Sequence, residues 1–248
     1  MTNKTSELND IMIERTHDSF YSEEKNLEVK DLWIEIANLI EKSTPRQGAS
    51  IADIGCAIGV FPNYLKKRFP QCEVCGFEFL ESSLVVGRDT YPNLDLRYGD
   101  ILNPVDWSEQ YDILTCTGVL SIFDDISSPL SNIVKSTKKG GRIYIHSLFN
   151  PYPVDVLIKY KLNSKDDHAW EAGWNIFSQD KVKKVMLDLG VKEVKFHEFV
   201  ISKQINKRED FVRSWTEEVV VDSFGKKKQQ IVNGLCLKQP HYIMEALV

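Results

Sequence analysis

The sequence predicts an α/β fold of parallel β-α-β units, and three observations carry that prediction. Short apolar runs alternate with amphipathic helical stripes between residues 29 and 147, the pattern a parallel sheet with crossover helices requires. The first run, "ASIADIG", ends on a carboxylate, Asp53, and passes into three residues with almost no side chain, Gly55, Ala57 and Gly59. The composition, 42% hydrophobic and 27% charged over 248 residues without repeats or low-complexity linkers, is that of an ordinary globular chain.

The elements follow in order. Residues 1–26 are polar and mixed, and read as a loosely helical lead-in. Val29, Leu32, Trp33, Ile36 and Ile40 form one helical stripe, which stops near Ser43-Thr44-Pro45 because proline cannot continue it. "ASIADIG" is a buried strand, with Phe61, Tyr64, Leu65 and Arg68 at helical spacing behind it. "CEVCGFE" is a second strand followed by a helix over 82–88, and "LDLRYGD" is a third. "YDILTCTGV" is a fourth, with a helical region over 129–136, and "GGRIYIHSLF" is a fifth, opened by its glycine pair. "FSQDKVKKVMLDLG" is a helix with Ser178 as N-cap and Gly190 as its stop. A sixth strand, "VKEVKFHEFVIS", a hairpin about Gly225 and a final strand, "HYIMEALV", complete the chain.

Composition also excludes function classes. A net charge of −5 argues against nucleic-acid binding, and the basic run 226–228 reads as a solvated turn. Five cysteines without framework spacing point to a reducing compartment, with Cys72 and Cys75 packed in a strand rather than on zinc. No metal is expected, since Asp124 and Asp125 read as a solvated loop pair. There is no N-terminal apolar signal region and no run of 18 apolar residues, so a soluble, cytoplasmic protein without membrane contact is expected.

The small residues after the first strand ask for a ligand. Open parallel sheets bind ligands at the carboxyl ends of their strands, and small residues let backbone N–H groups approach closely. A dinucleotide fingerprint would place Gly or Ala at position 60, where this chain has Val60. The spacing is instead D-x-G-x-A-x-G, and an acidic residue at the strand end suits a ligand with a cationic amino group.

This stretch resembles the nucleotide motif of the class I S-adenosylmethionine-dependent methyltransferases, an acidic residue followed by G-x-G-x-G, with Ala57 replacing the middle glycine. The resemblance extends in order over residues 50–147. It implies a Rossmann-like, seven-stranded, mostly parallel sheet whose last strand is antiparallel, with helices on both faces. It implies that Asp53, Gly55, Ala57 and Gly59 cradle S-adenosyl-L-methionine, leaving S-adenosyl-L-homocysteine as product. Glu78, ending "CGFEF", would accept from both ribose hydroxyls, a task suited to a carboxylate, with Phe79 and Leu80 beside the adenine. Asp100 would accept from the adenine amino group, with Ile101 against the ring. Thr117 and Gly118 would frame the methionine portion and the sulfonium.

One domain is expected over 1–248: a helical lead-in to residue 47, a cofactor half over 48–147, and substrate-cap insertions at 148–177 and 202–240. Methyl transfer is an in-line displacement governed by alignment and water exclusion. The place where relatives that methylate adenine or glutamine amino groups carry an Asn/Asp-Pro-Pro-aromatic signature reads "TCTG" here, which sets that subclass aside. His146, at the end of the fifth strand, is the candidate general base. Tyr21, Asn150, Tyr152, Trp170, Trp174 and Asn175 are candidate substrate contacts, a polar-aromatic set suited to a small molecule; Asp155, His168 and Glu171 lie among them. The expected reaction is methylation of an oxygen or nitrogen of a small polar metabolite, such as a sugar or a precursor of a surface polysaccharide or secondary metabolite, by a monomer or homodimer. The alternatives are a Rossmann-type NAD oxidoreductase and a non-catalytic cofactor-binding module.

Overall fold

The computed structural model describes residues 27–103, 109–161, 163, 170–210, 212–221 and 225–248. Strand β1 (Ser50–Ile54) is fully buried beyond its first residue, so both faces of the sheet are covered at its centre. β2 (Glu73–Glu78), β3 (Asp95–Tyr98), β4 (Tyr111–Thr117) and β5 (Thr137–Asn150) join it, followed by β9 (Glu193–Glu198) and β12 (His241–Leu247). The spatial order is β3-β2-β1-β4-β5-β12-β9. β1 through β5 pair in parallel, and β12 runs antiparallel to both β5 and β9. Short strands lie outside this row: β6 (Lys159–Tyr160) pairs with β7 (Glu171–Ala172), β8 (Phe177–Ser178) with the end of β5, and β10 (Trp215–Val220) with β11 (Lys227–Val232).

Side chains alternate across a strand, and each face buries its own set. Helices α1 (Asp31–Lys42) and α2 (Val60–Arg68) cover one face, where Ile36, Ile40, Phe61 and Leu65 meet Ile51, Ile113, Tyr144 and Ile243. Helices α4 (Ser127–Lys135) and α5 (Gln179–Asp188) cover the other, where Leu130, Ile133, Val182 and Met186 meet Leu114, Ile143, Ile145 and Met244. Helix α3 (Glu81–Thr90) buries Leu84 against Cys56, Leu94 and Leu96 beside β3. Ser178 caps α5 by accepting from the Lys181 amide, and Gly190 follows it at φ +89°.

Two boundaries differ from expectation. β5 begins at Thr137, ahead of its glycine pair. Tyr111 pairs with Thr137 but Ile113 with Arg142, and Gly140 at φ +80° turns the extra residues out as a bulge. The expected second strand begins at Glu73, which leaves Cys72 just outside it while Cys75 packs in the core. No helix among the described residues is long and apolar enough to cross a membrane.

Candidate active site at the carboxyl ends of the strands

The turn after β1 follows from the small residues it contains. Gly55, Ala57 and Gly59 all lie at positive φ, +72°, +49° and +87°. A Cβ on Gly55 would sit 2.4 Å from Val119 Cγ2, so nothing larger than glycine fits. The Gly55 and Cys56 amides donate to Phe77 O at 2.8 and 3.0 Å, which fixes the turn against the end of β2. Gly59 then opens α2.

Glu78 closes this turn from the side. Its Oε2 accepts from the Ala57 amide at 2.8 Å, and its Oε1 accepts from the Phe79 and Leu80 amides at 2.8 and 2.9 Å. Burial pushes the carboxyl's pKa up, and the three amides oppose that shift. A carboxylate offers about four lone-pair sites, so three amides leave room for one more donor on Oε2. Two ribose hydroxyls would both reach Glu78 only if the Ala57 contact loosened or was shared.

Asp53 is 1% exposed and accepts from Thr115 Oγ1 at 2.7 Å. Burial raises its pKa to about 7, with the Thr115 hydroxyl opposing and the Glu78 charge adding to the rise. It is therefore a carboxyl poised to ionise when a cation approaches. Asp100 is also buried, and its Oδ1 accepts from the Leu102 amide at 2.8 Å. Ile101 is enclosed beside it, while Phe79 lies 6.2 Å from the half-exposed ring of Tyr98. Gly118 has open space where a side chain would go, and its amide donates to His146 O at 3.0 Å.

His146 stands beside Thr117 in the sheet register. It is not a lone histidine, because its Nε2 lies 2.9 Å from His241 Nδ1 with the rings stacked at 14°. Burial keeps both neutral: His146 is held well below its ordinary pKa and His241 is lowered to about 4. His241 is the partner of His146 that sequence reasoning passed over. Its signal was the antiparallel last strand, which brings the strand's first residue to the ligand end of the sheet.

The expected substrate contacts do not form one cluster. Tyr152 and Trp170 are 71% and 67% exposed. Trp174 packs with Leu148, Ile158 and Ile176 and anchors the insertion. Asn150 is turned back into its own loop, donating to Val154 O and accepting from the Tyr152 amide. Asn175 is fully enclosed: its Oδ1 accepts from the Ile158 amide and its Nδ2 donates to Phe123 O and Asp124 Oδ1. Asn175 is thus a brace with no free polar atom for a ligand, a correction to its expected role. Asp155 accepts from the Ser178 amide and pairs with Lys181, and Glu171 accepts from the Tyr160 hydroxyl. Tyr21 and His168 lie outside the described residues. A cavity of about 330 Å³ opens beside β12 and β9, lined by both insertions and including Tyr152, Ile176, Phe199, Ile231, Leu237 and His241. Among the described residues no group of three or more His, Cys, Asp or Glu could hold a metal ion.

Comparison with known proteins agrees with this geometry. Residues 52–143 match the family model described as a methyltransferase domain. A protein of Invertebrate iridescent virus 6 named as a methyltransferase is 26% identical over 108 residues, 44% of this chain and 40% of its own length. The ubiquinone biosynthesis O-methyltransferase of Pseudomonas entomophila is 24% identical over 116 residues, 45% of this chain and 49% of its own length. The chain thus matches half or less of each curated relative. Among solved structures, DesVI from Streptomyces venezuelae aligns with TM-score 0.52 at 14% identity, over 80% of this chain and 94% of its own. A Thermotoga maritima protein described as a SAM-dependent methyltransferase aligns with TM-score 0.53 at 13% identity, over 95% and 97%. Residues 52–143 thus match a methyltransferase domain, and the seven-strand order is the fold of the methyltransferase structures with which the chain aligns.

Proposed function

We propose that the chain binds S-adenosyl-L-methionine and transfers its methyl group to an oxygen or nitrogen of a small polar metabolite. The observation that carries this reading is the turn over 55–59. Its glycine leaves no room for a Cβ, and two buried carboxyls flank it, Asp53 ready to ionise and Glu78 at the mouth. That cradle fits the cofactor: the Asp53 side takes the cationic amino end, Glu78 the ribose, and Phe79, Asp100 and Ile101 the adenine. When bound, the cofactor supplies an activated methyl group. The chain supplies orientation and a dry environment, with Thr117 and Gly118 beside the reacting centre. The acceptor lies under the insertions 148–177 and 202–240, as a cap over the 48–147 half.

The test is calorimetric titration of the purified protein with S-adenosyl-L-homocysteine, with NAD in parallel. Micromolar binding of the former alone supports the reading. NAD binding alone replaces it with an oxidoreductase, a reading that Val60 disfavours. The Glu78→Ala variant is expected to lose on the order of 1.5–3 kcal/mol of affinity, the worth of hydrogen bonds to a charged group. Undiminished affinity in that variant would remove Glu78 from the cofactor site.

A further inference from the structure

Five polar side chains cross the sheet in one row at its ligand end. Asp53 on β1, Thr115 and Thr117 on β4, His146 on β5 and His241 on β12 have the parity of Ile51, Ile113, Tyr144 and Ile243, so all face α1 and α2. The row ends in the histidine pair. Neutral imidazole carries one N–H and one bare nitrogen. A neutral pair joined Nε2 to Nδ1 therefore has one proton between the rings and always presents one donor and one acceptor at its outer atoms. Those outer atoms, His146 Nδ1 and His241 Nε2, are both enclosed without a hydrogen-bond partner among the described residues. Buried imidazole nitrogens are ordinarily satisfied, and His146 is only 7% exposed.

The two nitrogens of one ring point in nearly opposite directions. With Nε2 against His241, His146 Nδ1 lies on the ring edge away from that partner, and the β4 neighbour of His146 in the register is Thr117. At the other end of the pair, His241 lines the 330 Å³ cavity, room enough for several water molecules. We propose that the pair is a proton relay, in which a neutral hydroxyl of the methyl acceptor bonds to bare His146 Nδ1 beside Thr117 and its proton leaves through His241 toward the cavity. This rests on the methyltransferase reading and deepens it by naming the acceptor class and a second catalytic group.

The step balances within the chain's own groups. As the acceptor oxygen takes the methyl group, its O–H bond breaks and the proton forms a bond to His146 Nδ1. The proton on His146 Nε2 crosses to His241 Nδ1, and the proton on His241 Nε2 passes to water in the cavity. The second ring is needed because His146 cannot keep a charge: burial, the neighbouring His241 and Lys30 all disfavour its cationic form. A hydroxyl fits better than an ammonium for the same reason, since Lys30 repels a second cation there.

The test uses the full chain with 15N-labelled histidine, saturated with S-adenosyl-L-homocysteine and titrated with phenol as a hydroxyl probe. Long-range 1H–15N spectra read which ring nitrogens carry protons. The expected result is that phenol shifts His146 Nδ1 and both His241 nitrogens together, and that His146→Asn abolishes the His241 response while His241→Gln leaves a response at His146. Unmoved rings, or His146 moving without His241, overturn the relay. A response to aniline but not to phenol overturns the hydroxyl assignment. Calorimetry on the same samples separates the two claims, because absent S-adenosyl-L-homocysteine binding defeats the methyltransferase reading whatever the rings do. Thermal melts guard against misfolded variants. Replacing both rings by leucine is expected to hold or raise the melting temperature, because the unpartnered nitrogens disappear. A marked fall would mark the pair as structural.

Discussion

Asp53 carries opposite demands at one atom. Its carboxyl titrates near 7 in the fold but near 3.8 in the unfolded chain, chiefly because it is buried. The folded state therefore holds the proton more tightly, so this residue's contribution to stability falls as pH rises from about 4 to about 7. Asp53→Asn keeps an acceptor for the Thr115 hydroxyl and removes the titration. Urea unfolding at pH 8 should show the variant more stable by on the order of 2–4 kcal/mol, with the gap closing toward pH 4. A gap independent of pH would refute the raised pKa. At pH 7, about half the carboxyls are protonated, so a ligand that brings an ammonium group should release protons as it binds. Calorimetry in buffers of different ionisation enthalpy measures that release, and Asp53→Asn should abolish it. The adjoining turn gives two changes of opposite sign. Gly55→Ala meets both φ +72° and Val119 Cγ2, and should cost about 2–4 kcal/mol. Ala57→Gly relieves a left-handed alanine at φ +49°, and should gain about 1 kcal/mol. Thermal melts of the two variants moving in the same direction would contradict this account of the turn.

At the scale of elements, Asn175 ties the insertion after β5 to the exit of β4 at several atoms. Besides its side-chain bonds to Ile158, Phe123 and Asp124, Asn175 donates its own amide to Ser121 O. Asn175→Ala would strand the Ile158 amide and the Phe123 carbonyl in the interior. The expected cost is about 2–4 kcal/mol, with hydrogen exchange rising first over 156–160 and 171–176. Unchanged protection there would show that the hydrophobic cluster around Trp174 holds the insertion alone. This residue also marks where the sequence stops being legible. Periodicity located β1 through β5 and their helices because each buries a face or stripe against a neighbour, and the small residues of the turn announced a close approach. The insertion has no period, so Asn175 reads as a pocket residue when its side chain is wholly engaged as a brace. The boundary of β5 was misplaced for a related reason. A bulge is set by pairing with β4, and a single strand carries no record of its partner. His241 was illegible until the antiparallel register placed it beside His146.

Across the whole molecule, two buried bases work against two buried acids. Between about pH 4 and 6.5 the unfolded chain takes up protons on His146 and His241 that the fold refuses, since His241 titrates near 4 and His146 lies well below its ordinary value. Groups with depressed basic pKa values stabilise the fold less as pH falls through that window. Asp53 and Glu78 act oppositely, because burial raises both carboxyls and the fold keeps protons that the unfolded chain releases. Asp112 and Asp155, both held below the usual carboxylate range by their partners, exert their influence below about pH 4. Where Glu78 is ionised in both states, two protons on the bases against one on Asp53 leave stability rising with pH by roughly 1 kcal/mol per unit up to about 6.5 and then falling slightly toward 7. Replacing both histidines by glutamine removes the rising contribution and leaves the falling one. Comparing urea midpoints of the natural and doubly substituted chains at pH 4.5, 5.5 and 6.5 isolates the pair, and their stability difference should change by about 2–3 kcal/mol per pH unit. A difference that stayed flat would mean that the rings take up protons in the fold as readily as in the unfolded chain. In that event neither the buried neutral pair nor a relay built upon it could stand.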